Sequence, residues 1–265
     1  MTTVGDVLHF VETLAPRAMK MEWDNVGLLC GRESRQVKKI LVALDPFPGV
    51  IREAIAEGAE LIVTHHPLIF GETVKAVNEA TQTGRSLLML IENGIAAINA
   101  HTNLDQAPGG VNDVLAQTLG LKNVEVLNPC GTDAQGREWG LIRMGEVEEQ
   151  SLAAFLQRVK QALRCEGLRY VDGGKPVRKV AVGGGSCSGA MYEVAAAGCD
   201  TFVTADVKYN GFWDAQELGL NLIDAGHFHT ENPVVAVLAE KIAAAFPEIE
   251  VEISESHRDC MNYLV

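Results

Sequence analysis

Two stretches of this 265-residue chain match each other without a gap at an offset of 140 residues, 39–64 against 179–204. Lys39, Val42, Gly49, Glu53, Ala56, Gly58, Val63 and Thr64 recur as Lys179, Val182, Gly189, Glu193, Ala196, Gly198, Val203 and Thr204. Each copy reads as strand, turn, helix, glycine, strand, because a short β-branched apolar run bounded by glycine suits a buried strand. The match resumes at an offset of 125, with Gly94, Ile98 and Ala100 against Gly219, Ile223 and Ala225, and both copies then continue into a helix, over 114–119 and 233–245. This alternation predicts an α/β fold: two pseudo-symmetric α/β domains from an internal duplication, each a mixed sheet flanked by helices. The most polar mid-chain stretch, 131–138, sets the expected boundary between a first domain over 1–130 and a second over 131–265, with the C-terminal segment able to pack back on the first.

Three of the apolar runs end in histidine. The run Leu61-Ile62-Val63-Thr64 leads into His65-His66-Pro67. A second run, Ile95 to Ala100, ends in His101-Thr102-Asn103-Leu104-Asp105, and a third, Leu220 to Ala225, ends in Gly226-His227-Phe228-His229-Thr230-Glu231. In open α/β sheets ligands gather at the C-terminal ends of the strands. If the two units face one another, these histidines and carboxylates meet in the interdomain cleft, the usual place for a small-molecule site.

Imidazole nitrogen mixed with carboxylate oxygen suits zinc, iron, manganese or nickel rather than calcium or magnesium. Five candidate ligands, His65, His66, Asp105, His227 and Glu231, exceed what one catalytic zinc takes while keeping a position open. The better count is two divalent transition-metal ions, between which water ionises near neutral pH. The implied chemistry is hydrolysis. His227 and Glu231 are four residues apart, on one face of a helical turn, as are His101 and Asp105. His101 reads as a ligand or, preferably, as the catalytic base that shuttles a proton. His229 reads as a surface or pocket residue, and His9 and His257 as structural or solvated.

The formal charge of −13 excludes a long nucleic acid as the main partner, since phosphate neutralisation needs a basic surface. A small anionic substrate held by metal remains compatible. Apolar runs fall short of the roughly 20 residues of a membrane span, and the N-terminus lacks a signal-peptide pattern, so the expectation is a cytoplasmic protein with no membrane partner. Six cysteines without C-x-x-C spacing read as reduced thiols. Residues 183–189, rich in glycine between a strand and a helix, lack both the G-x-G-x-x-G and the Gly-Lys-Ser/Thr pattern. They read as a tight turn lining the cleft, whose backbone amides, with Lys208 and the metals, are the available positive groups for substrate phosphates.

Taken together and in order, the segments Glu22-Trp23-Asp24-Asn25-Val26-Gly27-Leu28, Thr64-His65-His66-Pro67, Asn99-Ala100-His101-Thr102-Asn103-Leu104-Asp105, Val207-Lys208-Tyr209 and Asp224-Ala225-Gly226-His227 through Glu231 resemble the YbgI-like dinuclear-metal family, the GTP cyclohydrolase 1 type 2 homologs. The resemblance spans essentially the whole chain. It implies a di-metal site in the interdomain cleft, metal ligands at His65, His66, Asp105, His227 and Glu231, and a toroidal homohexamer. The activity it implies is opening of the purine ring of GTP, with phosphoester hydrolysis and a non-catalytic metal-binding role as alternatives. Asn210 stands where the family commonly has histidine after Lys208-Tyr209, and the chain is too short for the inserted middle domain of longer members.

Overall fold

The computed structural model describes residues 1–71 and 74–264. The chain forms two compact units. The first comprises Met1–Ala107 with Val235–Arg258, and the second Pro108–Val234 with Asp259 to the C-terminus. The polar stretch 131–138, expected to separate the domains, instead folds within the second unit as a small hairpin pairing Gly131–Thr132 with Glu138–Trp139. Its turn is tied by Asp133, which accepts from the amides of Gln135 and Arg137.

In the first unit a five-stranded sheet runs in the order Gly27–Cys30, Ala96–Asn99, Leu61–Thr64, Lys39–Ala43, Glu250–Ile253. Only the Gly27–Cys30 edge is antiparallel. Ile40, Leu41, Leu61, Val63 and Ile98 are at most 1% exposed. That matches the continuous apolar runs of strands covered on both faces. Helices Pro48–Glu57 and Gln82–Asn93 pack one face through Val50, Ile51, Ala54, Leu87 and Leu90.

The second unit builds a six-stranded sheet in the order Lys122–Leu127, Ile142–Gln150, Val177–Val182, Thr201–Thr204, Asn221–Asp224, Arg169–Val171. Its central three strands are parallel and its outer ones antiparallel. Helix Leu152–Leu163 buries Phe155, Leu156 and Val159 on one side, and Met191, Val194 and Phe202 fill the other.

The three-strand parallel motif recurs down to single hydrogen bonds. Glu60 Oε2 accepts from the amides of Lys38 and Lys39 at 3.0 and 2.9 Å, and Asp200 Oδ2 accepts from those of Arg178 and Lys179 at 3.0 and 2.7 Å. The helix between the strands ends in each copy at a left-handed glycine, Gly58 (φ 70°) and Gly198 (φ 78°). This cap turns the chain sharply into the next strand without the steric penalty a Cβ carries there. Among the described residues, no helix is long and apolar enough to cross a membrane.

Candidate metal centre

In the first unit the sheet register brings the histidines together. Thr64 lies opposite Asn99 on the neighbouring parallel strand, and the Ala100 amide continues the ladder to Thr64 O at 3.0 Å. The next residues on each strand, His65-His66 and His101, therefore leave the sheet side by side. Their ring centroids are 4.9 Å (His65 to His66), 5.3 Å (His65 to His101) and 5.5 Å (His66 to His101) apart. One ligand nitrogen from each falls within 4.8 Å of the others. Helix Thr102–Gln106 then starts at once, its Asp105 amide bonding back to His101 O at 3.0 Å. Asp105 Oδ1 comes to 3.5 Å from Nε2 of the fully buried His65.

Each imidazole is held from behind through Nδ1. His65 Nδ1 lies 2.9 Å from the Ala100 carbonyl, His66 Nδ1 2.7 Å from Asp45 Oδ1, and His101 Nδ1 2.8 Å from Asp24 Oδ1. A carbonyl or carboxylate oxygen can only accept, so Nδ1 carries the hydrogen and the Nε2 lone pair is turned to the far side. Asp24 is 7% exposed, and burial alone would push its carboxyl up. The hydrogen bonds from His101 and from the Thr102 hydroxyl and amide outweigh that and hold it well below the usual carboxylate range.

The second unit repeats the device. Helix His227–Glu231 begins after Gly226, and Asp224 braces the entry by accepting from the amides of Val207 (3.0 Å) and Gly226 (3.1 Å) and pairing with Arg169. His227 Nδ1 sits 2.7 Å from Asp206 Oδ2, while its Nε2 is 3.0 Å from Oε2 of Glu231, one turn on. The glycine run supplies room for this pair. At Gly185 (φ 61°) a Cβ would overlap Glu231 Oε1 and lie 3.1 Å from His227 Nε2.

The loop at 183–189, expected to be a tight turn with amides available to phosphates, spends four of those amides on other partners. The Gly183 amide is taken by Val203 O, Gly184 by Asn112 Oδ1 (2.7 Å), Gly185 by Thr230 Oγ1 (3.0 Å) and Cys187 by Gly185 O. These four donors are consumed within the second unit, and that of Gly185 seats the loop against Thr230. His229 turns elsewhere, with Nδ1 3.2 Å from Leu163 O and Nε2 3.3 Å from Asp259 Oδ2. Lys208 is exposed at the head of helix Tyr209–Glu217.

Both units thus present Nε2 nitrogens beside a carboxylate, with Nδ1 pinned to an acceptor. This is how metal-binding histidines are oriented by their outer partners. The donor set of nitrogen and carboxylate oxygen fits a borderline transition ion. The bracing carboxylates Asp24, Asp45 and Asp206 were given no role from the sequence. Asp24 stands in the Glu22–Leu28 motif and Asp45 two residues past a strand end, and those positions were the available signals.

Residues 2–260 match the family model described as Duf34/NIF3 (NGG1p interacting factor 3). The chain belongs to this family. Among curated members, a "GTP cyclohydrolase 1 type 2 homolog" of Clostridium perfringens is 33% identical over 264 residues, covering 98% of this chain and 99% of that protein. The crystal structure of Staphylococcus aureus protein SA1388 superposes with a TM-score of 0.90 at 30% identity, covering 99% of each chain. A Bacillus cereus protein related to NIF3 gives 0.91 at 28% identity, over 100% of this chain and 99% of that one. The family expected from the sequence motifs is therefore the one found.

Proposed function

We propose that this chain is a metal-dependent hydrolase of a small anionic, nucleotide-like substrate, with opening of the purine ring of GTP as its leading reaction. The observation that carries the reading is the common orientation of His65, His66, His101 and His227, each with Nδ1 held by an acceptor and Nε2 turned away from it. His65, His66 and Asp105 form one ligand group, and His227 with Glu231 another, and together they take two divalent transition ions. Such ions, when bound, polarise the substrate and let water ionise near neutral pH. His101 is left for proton transfer. Asp24 keeps its hydrogen on Nδ1, so Nε2 accepts a proton from the attacking water and returns it to the nitrogen that leaves when the ring opens. The curated name of the relatives supports GTP as the first substrate to try. A closed homo-oligomer, a toroidal hexamer by family resemblance, completes the proposal.

Elemental analysis coupled to a turnover screen tests it. Wild-type protein should carry about two ions per chain, and His65→Ala and Glu231→Ala should each lower that count. His101→Ala should keep the metal and lose about 10²-fold or more in turnover. Asp24→Asn should lose turnover too, because an amide can present a donor to Nδ1 and favour the wrong tautomer. If metal-loaded protein acts on neither GTP nor other nucleotides and phosphoesters, a non-catalytic metal-binding role becomes the better reading. Light scattering that gives a monomer at all concentrations removes the hexamer.

A further inference from the structure

Three large aromatic side chains stand in the open around the first unit's histidines. Trp23 is 57% exposed, Phe70 63% and Phe47 50%. Side chains of this size are normally covered, and an exposed cluster of them marks a contact surface. Two of the three are held in place. Trp23 and Phe70 meet edge to face at 5.8 Å, and each approaches the His101 ring, at 6.0 and 5.9 Å. The backbone behind them is tied as well, since Asn25 Nδ2 donates to Ile69 O at 3.1 Å, next to Phe70. Phe47 and Phe70 line a pocket of about 290 Å³ together with His66, Asp45, Thr83 and Ser86.

We propose that this pocket grips the ring of a planar heteroaromatic substrate of the nucleobase type. Phe47 and Phe70 act as its stacking surfaces, and Asp45, Thr83 and Ser86 face its polar edge. The inference rests on the hydrolase reading above, for which it assigns the residues that hold the ring of the substrate. The pocket volume is at the lower end of small-molecule sites and suits one ring system. An aliphatic ligand would strip water from Asp45 and Thr83 without returning hydrogen bonds. A bare sugar phosphate would leave the aromatic faces unused and bring its charge beside the Asp45 carboxylate. A flat ring with donors and acceptors on its rim meets both demands, because every base offers a π face. Placed there, the ring lies against His66, one imidazole from His101.

Saturation-transfer NMR and calorimetry on the full-length protein, metal-free and metal-loaded, test this with GMP, AMP and UMP as probes and ribose 5-phosphate as control. The expected result is strongest saturation on base protons and no binding of ribose 5-phosphate. Phe70→Leu and Phe47→Ala should each weaken nucleotide binding about tenfold, the scale of one lost stacking contact. Wild-type affinity in both variants overturns the proposal, as does failure of all three nucleotides to bind or equal binding of ribose 5-phosphate. If the variants change the oligomeric mass in light scattering while nucleotide affinity stays the same, the aromatics are a subunit contact and the proposal falls. Ring binding that depends on Phe47 and Phe70 without any metal-dependent turnover supports the pocket and removes only the hydrolase reading.

Discussion

In the first unit the strand Leu61–Thr64 runs straight into two imidazoles, whereas the matching strand Thr201–Thr204 runs into Ala205 and Asp206. One strand over, Ala100 is followed by His101 but Ala225 by Gly226, which delays the histidine by one residue to His227. Asp45, which braces His66, has Gly185 as its counterpart at the 140-residue offset, and there the missing side chain leaves space for Glu231. The same backbone ladder is thus loaded in two ways. The first copy buries His65 and His101 and braces His66 and His101 with carboxylates from loops. The second gives up a side chain on one strand end so that a short helix can bring a histidine and a glutamate together. A scaffold of parallel strands fixes where these side chains can gather, and the residues just past each strand end decide which of them stand there.

The largest break in this comparison should come from Gly185→Ala. The new Cβ is caught between a left-handed backbone and Glu231, so we expect about 2 kcal/mol of lost stability in denaturant unfolding, together with a fall in metal content. Unchanged metal content would mean that Glu231 is not a ligand. Next in size is the pair Asp45→Asn and Asp206→Asn, which removes one brace from each unit. Each should weaken metal affinity by about 10- to 100-fold with the fold intact. A loss in only one of them, read by competition with a chelating dye, would show that the two arrangements are not functional equivalents.

The repeated glutamate offers a finer test. Glu53 accepts from the Ser254 hydroxyl and from the amides of Glu255 and Ser256, while its counterpart Glu193 accepts from Asn128. Burial pushes the Glu53 carboxyl up, but those hydrogen bonds prevail and hold it below its ordinary value. A carboxyl depressed in the folded state stabilises above its unfolded pKa, about 4.3, and that contribution fades as pH falls through the folded value. Glu53→Gln should therefore cost about 1 kcal/mol near pH 7, a figure discounted for partial exposure. The difference from wild type should vanish in urea unfolding at about pH 3. The smallest effect is a matched one. Gly58→Ala and Gly198→Ala each place a Cβ in open space but on a left-handed cap, and should each cost roughly 0.5–1 kcal/mol. Unequal costs would show that the two caps differ in a way the backbone does not reveal.

The central strands were legible because burial on both faces forces an unbroken apolar run, as in Leu61–Thr64 and Thr201–Thr204. The histidines that follow Leu61–Thr64 and Ala96–Asn99 were legible for the same reason, since an imidazole after such a run has few structural excuses. The edge strands were not. Lys122–Leu127 is largely exposed and reads Lys-Asn-Val-Glu, and Glu250–Ile253 alternates charged and apolar residues, so neither differs locally from a loop until its partner is known. The bracing aspartates were silent because Asp24 stands 77 residues from His101 and Asp45 stands 21 from His66, with no periodicity to connect them. The loop at 183–189 was ambiguous for a third reason. Glycine is used both where amides must meet an anion and where a neighbour needs room, and composition alone does not separate the two uses.

The return of the chain to its first unit has a consequence during synthesis. The strand Glu250–Ile253 pairs with Lys39–Ala43, so the sheet begun near the N-terminus is finished only after some two hundred further residues have left the ribosome. Throughout that interval the Lys39–Ala43 edge, almost wholly apolar, offers unpaired amides and carbonyls to any neighbouring chain. Nascent chains halted before residue 250 should aggregate readily, and this protein's demand on chaperones should be set by how quickly Glu250–Ile253 arrives.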